Sequence, residues 1–243
     1  MSVTKGIDST VNYQAALFDL DGVVIDTRRP VVEFWQRFAA RHNVTIAPAD
    51  YSRYIHGMPP EGTLAALFPH LTDEQRREYY DYLRDFEDNT VYRPVPGVKD
   101  LLLALRQAGI PAAVATSASR RKVEIVERQL GLQGLFAAHV TIDDITRGKP
   151  DPECYRTAAA RLGKAPERCI VFEDAVIGVR AGVAAGARCI GIQPEADVAA
   201  DLIRAGAWRV VPDFTALHVG VEGEGIWLKV NGGEALGLAA SMR

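Results

Sequence analysis

The chain has 243 residues, a formal net charge of −3 and a hydrophobic fraction of 48%. This length suits one large domain, or one domain that carries a sizeable insert. The slightly acidic charge balance provides no basic field for nucleic acid, and no apolar run is long enough to cross a bilayer, so we expect neither as a partner. Three cysteines without ligand-like spacing, and the lack of an apolar signal core, predict a cytoplasmic protein.

The most informative motif lies near the N-terminus. Residues 15–17 form an apolar run that predicts a buried strand, and Asp19 and Asp21 follow it on one face because strand side chains alternate. Gly22 then permits a sharp turn. Paired buried acids are costly unless a metal or a reaction uses them, and carboxylate oxygens suit Mg²⁺. The alternative is a surface turn, in which Asp and Gly are common.

The next part of the chain changes period. Residues 30–92 show helical patterns and no good strand, with helices predicted at 30–42, 59–68 and 72–89. From Gly97 onward strands and helices alternate. Strands are predicted at 112–116, 139–142, 169–172, 188–192 and 208–211, and helices at 98–107, 120–130, 152–162, 175–185 and 197–205.

This alternation predicts an α/β fold, a doubly wound parallel Rossmann-like sheet, with the helical block inserted between its first two strands. We therefore expect a catalytic core at residues 14–27 and 95–217, an all-helical insert at 28–94, and a C-terminal extension at 218–243. The strand-like piece at 226–230 in that extension reads as an extra edge strand or a loose end.

Polar side chains follow four of the predicted strands. Besides the first acid pair, these are Ser117 before a helix, Lys149 in a proline-bounded loop, and Glu173 with Asp174. Each has an ordinary explanation: a helix N-cap for the serine or Asp174, and a solvated surface lysine. In doubly wound sheets ligands bind beyond the carboxyl ends of the strands, so one shared site explains all four together better than four separate coincidences.

These residues resemble a known family. Asp19-Leu20-Asp21-Gly22-Val23-Val24, Thr116-Ser117, Gly148-Lys149-Pro150 and Phe172-Glu173-Asp174 are similar, in order and separation, to the four motifs of the haloacid dehalogenase superfamily of phosphatases. The resemblance extends over about residues 15–193, and the helical insert resembles the family's helical cap. Within the family the chain looks like the branch of sugar-phosphate phosphatases, glycerol-phosphate phosphatases and β-phosphoglucomutases.

The resemblance implies roles for the acids. Asp19 would attack phosphorus and form an aspartyl-phosphate, while Asp21 would protonate the leaving oxygen and later deprotonate the attacking water. Mg²⁺ would be held by Asp19, the backbone carbonyl of Asp21 and Asp174, with Glu173 binding it directly or through water.

It also implies the groups that hold the substrate. Ser117 and Lys149 would bind the other phosphoryl oxygens, and Lys149 would restrain Asp19. The residues assigned to substrate binding are the Ala118 amide, His56 and Gly57 of the cap loop, and Arg120. A structural role is the ordinary expectation for a lone histidine, and surface coverage for an arginine.

The leading functional prediction is a phosphatase that hydrolyses a small phosphorylated metabolite, a sugar or polyol phosphate, as a monomer or dimer. The alternative is a phosphosugar mutase, which must grip a second phosphate. The mutases of the family carry an arginine where this chain has Pro60 and a histidine where it has Val31, and both departures favour the phosphatase. A regulatory binding module on the same fold would be expected to lose a catalytic carboxylate, and none is missing.

Overall fold

The computed structural model describes residues 7–55, 60–222, 225–231 and 233–240. The strands are β1 (Ile7–Tyr13), β2 (Ala15–Phe18), β3 (Ala112–Ala115), β4 (Ala138–Val140), β5 (Cys169–Glu173), β6 (Arg188–Ile192), β7 (Arg209–Val211), β8 (Leu217–Glu222), β9 (Gly225–Val230) and β10 (Glu234–Leu238).

The helices are α1 (Arg28–Arg41), α2 (Pro48–Asp50), α3 (Pro60–Leu67), α4 (Asp73–Asn89), α5 (Val98–Gln107), α6 (Arg120–Leu130), α7 (Glu153–Arg161), α8 (Val176–Ala185) and α9 (Ala196–Arg204). A π-helical turn, Tyr51–Ile55, follows α2, and 3₁₀ turns occupy Ile142–Asp144, Pro166–Arg168 and Phe214–Ala216. The predicted strands and helices between residues 98 and 211 are confirmed, with ends that differ by at most two residues.

A six-stranded parallel sheet confirms the predicted fold class. Its strand order is β4-β3-β2-β5-β6-β7, so the chain moves outward from β2 on one side and then returns to build the other. Strand β2 is buried along its whole length. Ala16 and Phe18 face one hydrophobic cluster, and Ala15 and Leu17 face another. Such two-sided burial explains why this strand is continuously apolar rather than alternating.

The helices α1 to α4, residues 28–89, form what we call the helical segment. They enclose a hydrophobic cluster of their own, rich in aromatic side chains: Phe34, Trp35, Phe38, Ala39, Ile55, Leu64, Phe68, Leu71 and Tyr79. The two stretches of chain that join this segment to the sheet run side by side. The Asp26 amide donates to the Arg93 carbonyl at 2.9 Å, and the Val95 amide donates to the Val24 carbonyl at 3.1 Å.

The last strands correct our interpretation of the C-terminal extension. The predicted strand at 226–230 is present as β9, but it is neither an edge strand of the main sheet nor a loose end. It lies within a second, four-stranded sheet of order β1-β10-β9-β8, in which the N-terminal strand β1 pairs in parallel with β10. Leu228, Leu236 and Leu238 are buried in the same cluster as one face of the main sheet. This contact with the core is what orders the extension.

Within the described part of the chain, no helix combines the length and the apolar character that crossing a membrane requires.

Candidate active site

The acidic residues predicted from the sequence meet at the carboxyl end of the main sheet. Asp19 directly follows β2, Glu173 ends β5, and Asp174 follows it. The two strands are hydrogen-bonded neighbours with Phe18 opposite Phe172, and the Asp19 amide donates to the Phe172 carbonyl at 3.0 Å. The chain adds β3 and β4 on one side of β2 and then β5, β6 and β7 on the other side. The boundary between β2 and β5 is therefore the topological switch point, where α/β sheets bind ligands, and the acids lie there.

Lys149 lies between two of these acids. Its Nζ is 2.6 Å from Asp19 Oδ1 and 2.6 Å from Glu173 Oε1, and the residue is only 8% exposed. Burial by itself would lower the pKa of Lys149, but the charges of Asp19 and Glu173 raise it well above its ordinary value. These charges favour the ammonium form of Lys149, which donates to the Asp19 carboxylate.

Glu173, expected to bind the metal directly or through water, accepts hydrogen bonds from four groups of the protein. Oε1 accepts from Lys149 and from the Tyr155 hydroxyl at 2.7 Å, and Oε2 accepts from the amides of Asp174 and Ala175 at 3.0 and 3.1 Å. A side chain at Gly178 would collide with this carboxylate, because an added Cβ would lie 1.8 Å from Oε1. Both oxygens of this carboxylate thus accept from protein donors, one of them Lys149, and only 1% of the residue is exposed.

An acidic cluster suited to a metal ion remains. One oxygen from each of Asp19, Glu173 and Asp174 lies within 4.8 Å of the others. Burial raises the pKa of Asp19 to about 7 despite the opposing charge of Lys149. Burial, followed by the charge of Glu173, raises the pKa of Asp174 well above its ordinary value. When Asp19, Glu173 and Asp174 are all ionised, the cluster has more negative charge than Lys149 balances, which is the environment that a hard cation stabilises.

Gly22 shapes the wall of this cluster. Its φ of +74° lies in the left-handed region, and an added Cβ would be 1.9 Å from Asp174 Oδ2. Both the backbone conformation and the close approach of Asp174 therefore require glycine at this position. The sharp turn predicted after Asp19 and Asp21 therefore also makes room for the Asp174 side chain.

Asp21 lies beside a lysine that the sequence analysis did not identify. Lys122 Nζ, from α6, is 2.8 Å from Asp21 Oδ1 and 3.0 Å from Oδ2. The same ammonium is 3.6 Å from Glu87 Oε1, at the end of α4. Lys122 occurs in an ordinary run of charged residues at a helix start, so its role had no signal in the sequence.

The segment after β3 is partly as expected. Ser117 follows β3, which is hydrogen-bonded to β2, so it comes from the strand next to the acid pair. Ser119, rather than Ser117, caps α6 by accepting from the Lys122 amide at 3.3 Å. The Ala118 amide, which we expected to bind substrate, donates to Thr116 Oγ1 at 3.0 Å. To hold a phosphoryl oxygen, that amide would have to donate to the substrate as well as to Thr116 Oγ1.

The cap-loop and arginine residues assigned to substrate binding stay predictions. Arg120 pairs with Asp144 at 2.8 Å, and Asp144 also binds Arg161 at 2.7 Å, in a cluster after β4. The Arg120 guanidinium is thus held by Asp144 in this structure. His56 and Gly57 lie outside the described residues.

Fold and site together define an α/β protein in which carboxylates and a lysine meet at a topological switch point. A sequence model of the family described as "haloacid dehalogenase-like hydrolase" matches residues 13–186, and the chain belongs to this family.

Its relatives are named as phosphatases. The chain is 37% identical over 194 residues to validoxylamine A 7'-phosphate phosphatase from Streptomyces hygroscopicus subsp. limoneus, covering 77% of this chain and 89% of the relative. It is 32% identical to 2-deoxyglucose-6-phosphate phosphatase 2 of Saccharomyces cerevisiae, covering 88% and 94%. A putative β-phosphoglucomutase from Thermotoga maritima has a similar structure, with a TM-score of 0.64, 31% identity and coverage of 82% and 94%. The chain is therefore a phosphoric monoester hydrolase of this family.

Proposed function

We propose that this enzyme hydrolyses the phosphate ester of a small sugar or polyol through an aspartyl-phosphate on Asp19, with Mg²⁺ as its cofactor. The observation that carries the proposal is the contact of Asp19 with Lys149 within a cluster that also contains Asp174. A buried carboxylate held by a lysine and flanked by further acids is suited to attack a phosphoryl group rather than to stabilise the fold. Sugar phosphates are favoured because a relative that covers 88% of this chain is named for 2-deoxyglucose 6-phosphate.

The first step transfers the phosphoryl group to the protein. An Asp19 carboxylate oxygen forms a bond to phosphorus while the bond from phosphorus to the ester oxygen breaks. Asp21 gives its proton to that departing oxygen, and the alcohol leaves as a neutral molecule.

The second step restores Asp19. Water attacks the phosphorus of the acyl phosphate, the bond between phosphorus and the Asp19 oxygen breaks, and Asp21 takes the proton from the water. Phosphate is released and Asp21 is ready to act as an acid again. Lys149 and Ser117 bind the phosphoryl oxygens on which charge accumulates in both steps.

The residues that would hold Mg²⁺ are Asp19, Asp174 and the Asp21 backbone carbonyl. The surplus negative charge of the acidic cluster supports this assignment, and Glu173 contributes through Lys149. When bound, the cation supplies charge neutralisation and alignment of the phosphate.

The helical segment is proposed to cover this site as a cap. Its two adjacent connections to the sheet allow it to move as a unit, which would exclude bulk water when substrate binds. The cap would contact the part of the substrate that is not phosphate.

The competing mutase activity is supported by the likeness to the putative β-phosphoglucomutase. Against it, Val31 packs on the aromatic cluster of the helical segment and Pro60 begins α3, and neither provides a charge for a second phosphate.

A single assay separates the two activities. The enzyme is given Mg²⁺ and β-glucose 1-phosphate, and phosphate release and glucose 6-phosphate formation are followed together. We expect phosphate release alone, and a panel including 2-deoxyglucose 6-phosphate and hexitol phosphates then ranks the substrates. If glucose 6-phosphate forms faster than phosphate is released, the mutase assignment replaces the hydrolase assignment.

Asp174→Asn is expected to weaken Mg²⁺ binding without harming the metal-free fold. Carboxylate charge attracts the ion, so the Mg²⁺ concentration at half-maximal activity should rise by about tenfold or more. The raised pKa of Asp174 means that its charge opposes folding at neutral pH, so the metal-free melting temperature should stay equal or increase. A Mg²⁺ titration beside a thermal melt measures both, and an unchanged half-maximal concentration would contradict the assignment.

A further inference from the structure

The ammonium group of Lys122 joins three separate parts of the chain. Lys122 belongs to α6, Asp21 to the loop after β2, and Glu87 to the last turn of α4 in the helical segment. The ammonium is 2.8 and 3.0 Å from the two Asp21 oxygens and 3.6 Å from Glu87 Oε1. It therefore contacts both oxygens of one carboxylate, and a second carboxylate lies within ion-pair distance.

This group of side chains is partly buried and less exposed than its neighbours. The Lys122 and Glu87 side chains are 12% and 13% exposed, whereas those of the adjacent pair Arg121 and Asp88 are 43% and 38% exposed. The Lys122 Nζ also lies 5.9 Å from the centre of the Tyr92 ring. Exposed ion pairs contribute little to stability or orientation, while a buried, hydrogen-bonded charge fixes the geometry of its partners.

Further contacts fix α6 against the end of α4. The Gln129 side chain accepts from the Tyr92 amide at 3.0 Å and donates to the Thr90 carbonyl at 3.0 Å. Thr90 and Tyr92 lie in the stretch that connects the helical segment back to the sheet. Lys122 is thus anchored at the base of the helical segment, where it is not free to swing away from Asp21.

We propose that Lys122 is a positioning residue for Asp21, and that Glu87 holds the Lys122 ammonium in place. The proposal rests on the proposed function, in which Asp21 passes a proton to the leaving oxygen. Proton transfer in a transition state requires the acid to be held within hydrogen-bond reach of the accepting atom. Lys122 restricts the Asp21 side chain to one orientation without touching the phosphorus or the nucleophile.

The leaving group of the substrate provides the readout. The alcohol of 2-deoxyglucose 6-phosphate is a poor leaving group that needs the proton from Asp21, whereas the nitrophenolate of p-nitrophenyl phosphate leaves without one. The ratio kcat/KM covers only the steps up to departure of the leaving group, so slow hydrolysis of the aspartyl-phosphate does not affect it. A misplaced Asp21 must therefore lower kcat/KM for the sugar phosphate far more than for the aryl phosphate.

Lys122→Met is the decisive variant, because methionine has similar length and no charge. For 2-deoxyglucose 6-phosphate we expect kcat/KM to fall by about tenfold or more, and for p-nitrophenyl phosphate by less than about threefold. Glu87→Gln should show a smaller loss with the same preference. Lys99→Met, which removes an exposed lysine that binds the Leu130 carbonyl, is the matched control and should change neither value.

The double variant Lys122→Met/Glu87→Gln guards against a folding defect, since it removes the buried acid that the single variant leaves unpaired. It should keep the selective loss for the sugar phosphate and fold at least as well as the single variant. Equal losses for both substrates in the folded variants, or no loss for either, would overturn the proposal.

Failure of the proposed function gives a different result. If Asp19 is not the nucleophile, Asp19→Asn retains activity on both substrates whatever Lys122 does. If only the role of Lys122 is wrong, Asp19→Asn is inactive while Lys122→Met shows no preference between the two substrates.

Discussion

Asp19→Asn is expected to lower phosphate release by more than about a thousandfold, the scale of losing a covalent nucleophile. The amide has nearly the same size but no anionic oxygen with which to attack phosphorus. The fold should persist, since Lys149 keeps its contact with Glu173 at 2.6 Å and one charge is removed from a crowded acidic cluster.

The measurement is phosphate release over hours at saturating Mg²⁺, with a thermal melt of each protein. Asp81→Asn is the matched control because the Asp81 side chain is 80% exposed on α4 and remote from the chemistry. It should retain full activity. An Asp19→Asn protein that is folded and as active as the parent would refute the assignment of Asp19 as the nucleophile.

Lys149→Met should have the second largest effect, and on both stability and activity. Removing one partner of a buried ion pair leaves charge without compensation and typically costs about 3–5 kcal/mol of unfolding free energy. Here two carboxylates would lose the same partner. Turnover should fall by about a hundredfold or more because a phosphoryl-binding cation is lost.

The pH dependence of the residual activity provides a second test. The charge of Lys149 lowers the pKa of Asp19 against the effect of burial. Without that charge, Asp19 stays protonated to higher pH, so the pH profile of the variant should shift toward alkaline values. Denaturant unfolding of the metal-free protein measures the stability change.

Lys149→Met/Glu173→Gln separates the two effects of the lysine. It should recover part of the lost stability, since one unpaired acid is gone, but none of the activity. Unchanged stability and unchanged turnover in the Lys149→Met protein would contradict the placement of Lys149 in the site.

Some of the site was predictable because parallel strands impose it. Once residues 15–17 and 169–172 were assigned to strands of one parallel sheet, the carboxyl ends carrying Asp19 and Asp174 had to share an edge. The side-chain partners were not predictable in this way. Tyr155 binds Glu173 across 18 residues, and Lys122 binds Asp21 across 101 residues, and neither spacing follows from a local period.

The ends of the chain show the limit of pattern reasoning in the fold itself. Strand β9 was recognisable from its apolar residues, but its partners were not, because its sheet unites β1 near the N-terminus with β10 near the C-terminus. Such pairing depends on which apolar faces remain uncovered after the core has formed. A glycine-rich stretch carries little of that information.

Between residues 98 and 211 the sequence alone determined the order of strands and helices, and it located the acids and the lysine that follow the strands, because local periodicity and motif chemistry specify these features. It did not locate β1, β8 or β10. Only the tertiary structure decided how the charges are shared. The Glu173 carboxylate accepts hydrogen bonds from Lys149, Tyr155 and two backbone amides, and Lys122 contacts both Asp21 and Glu87. The physical reason is that a buried charge must find its partners in space, and the fold brings them from segments that are distant along the chain.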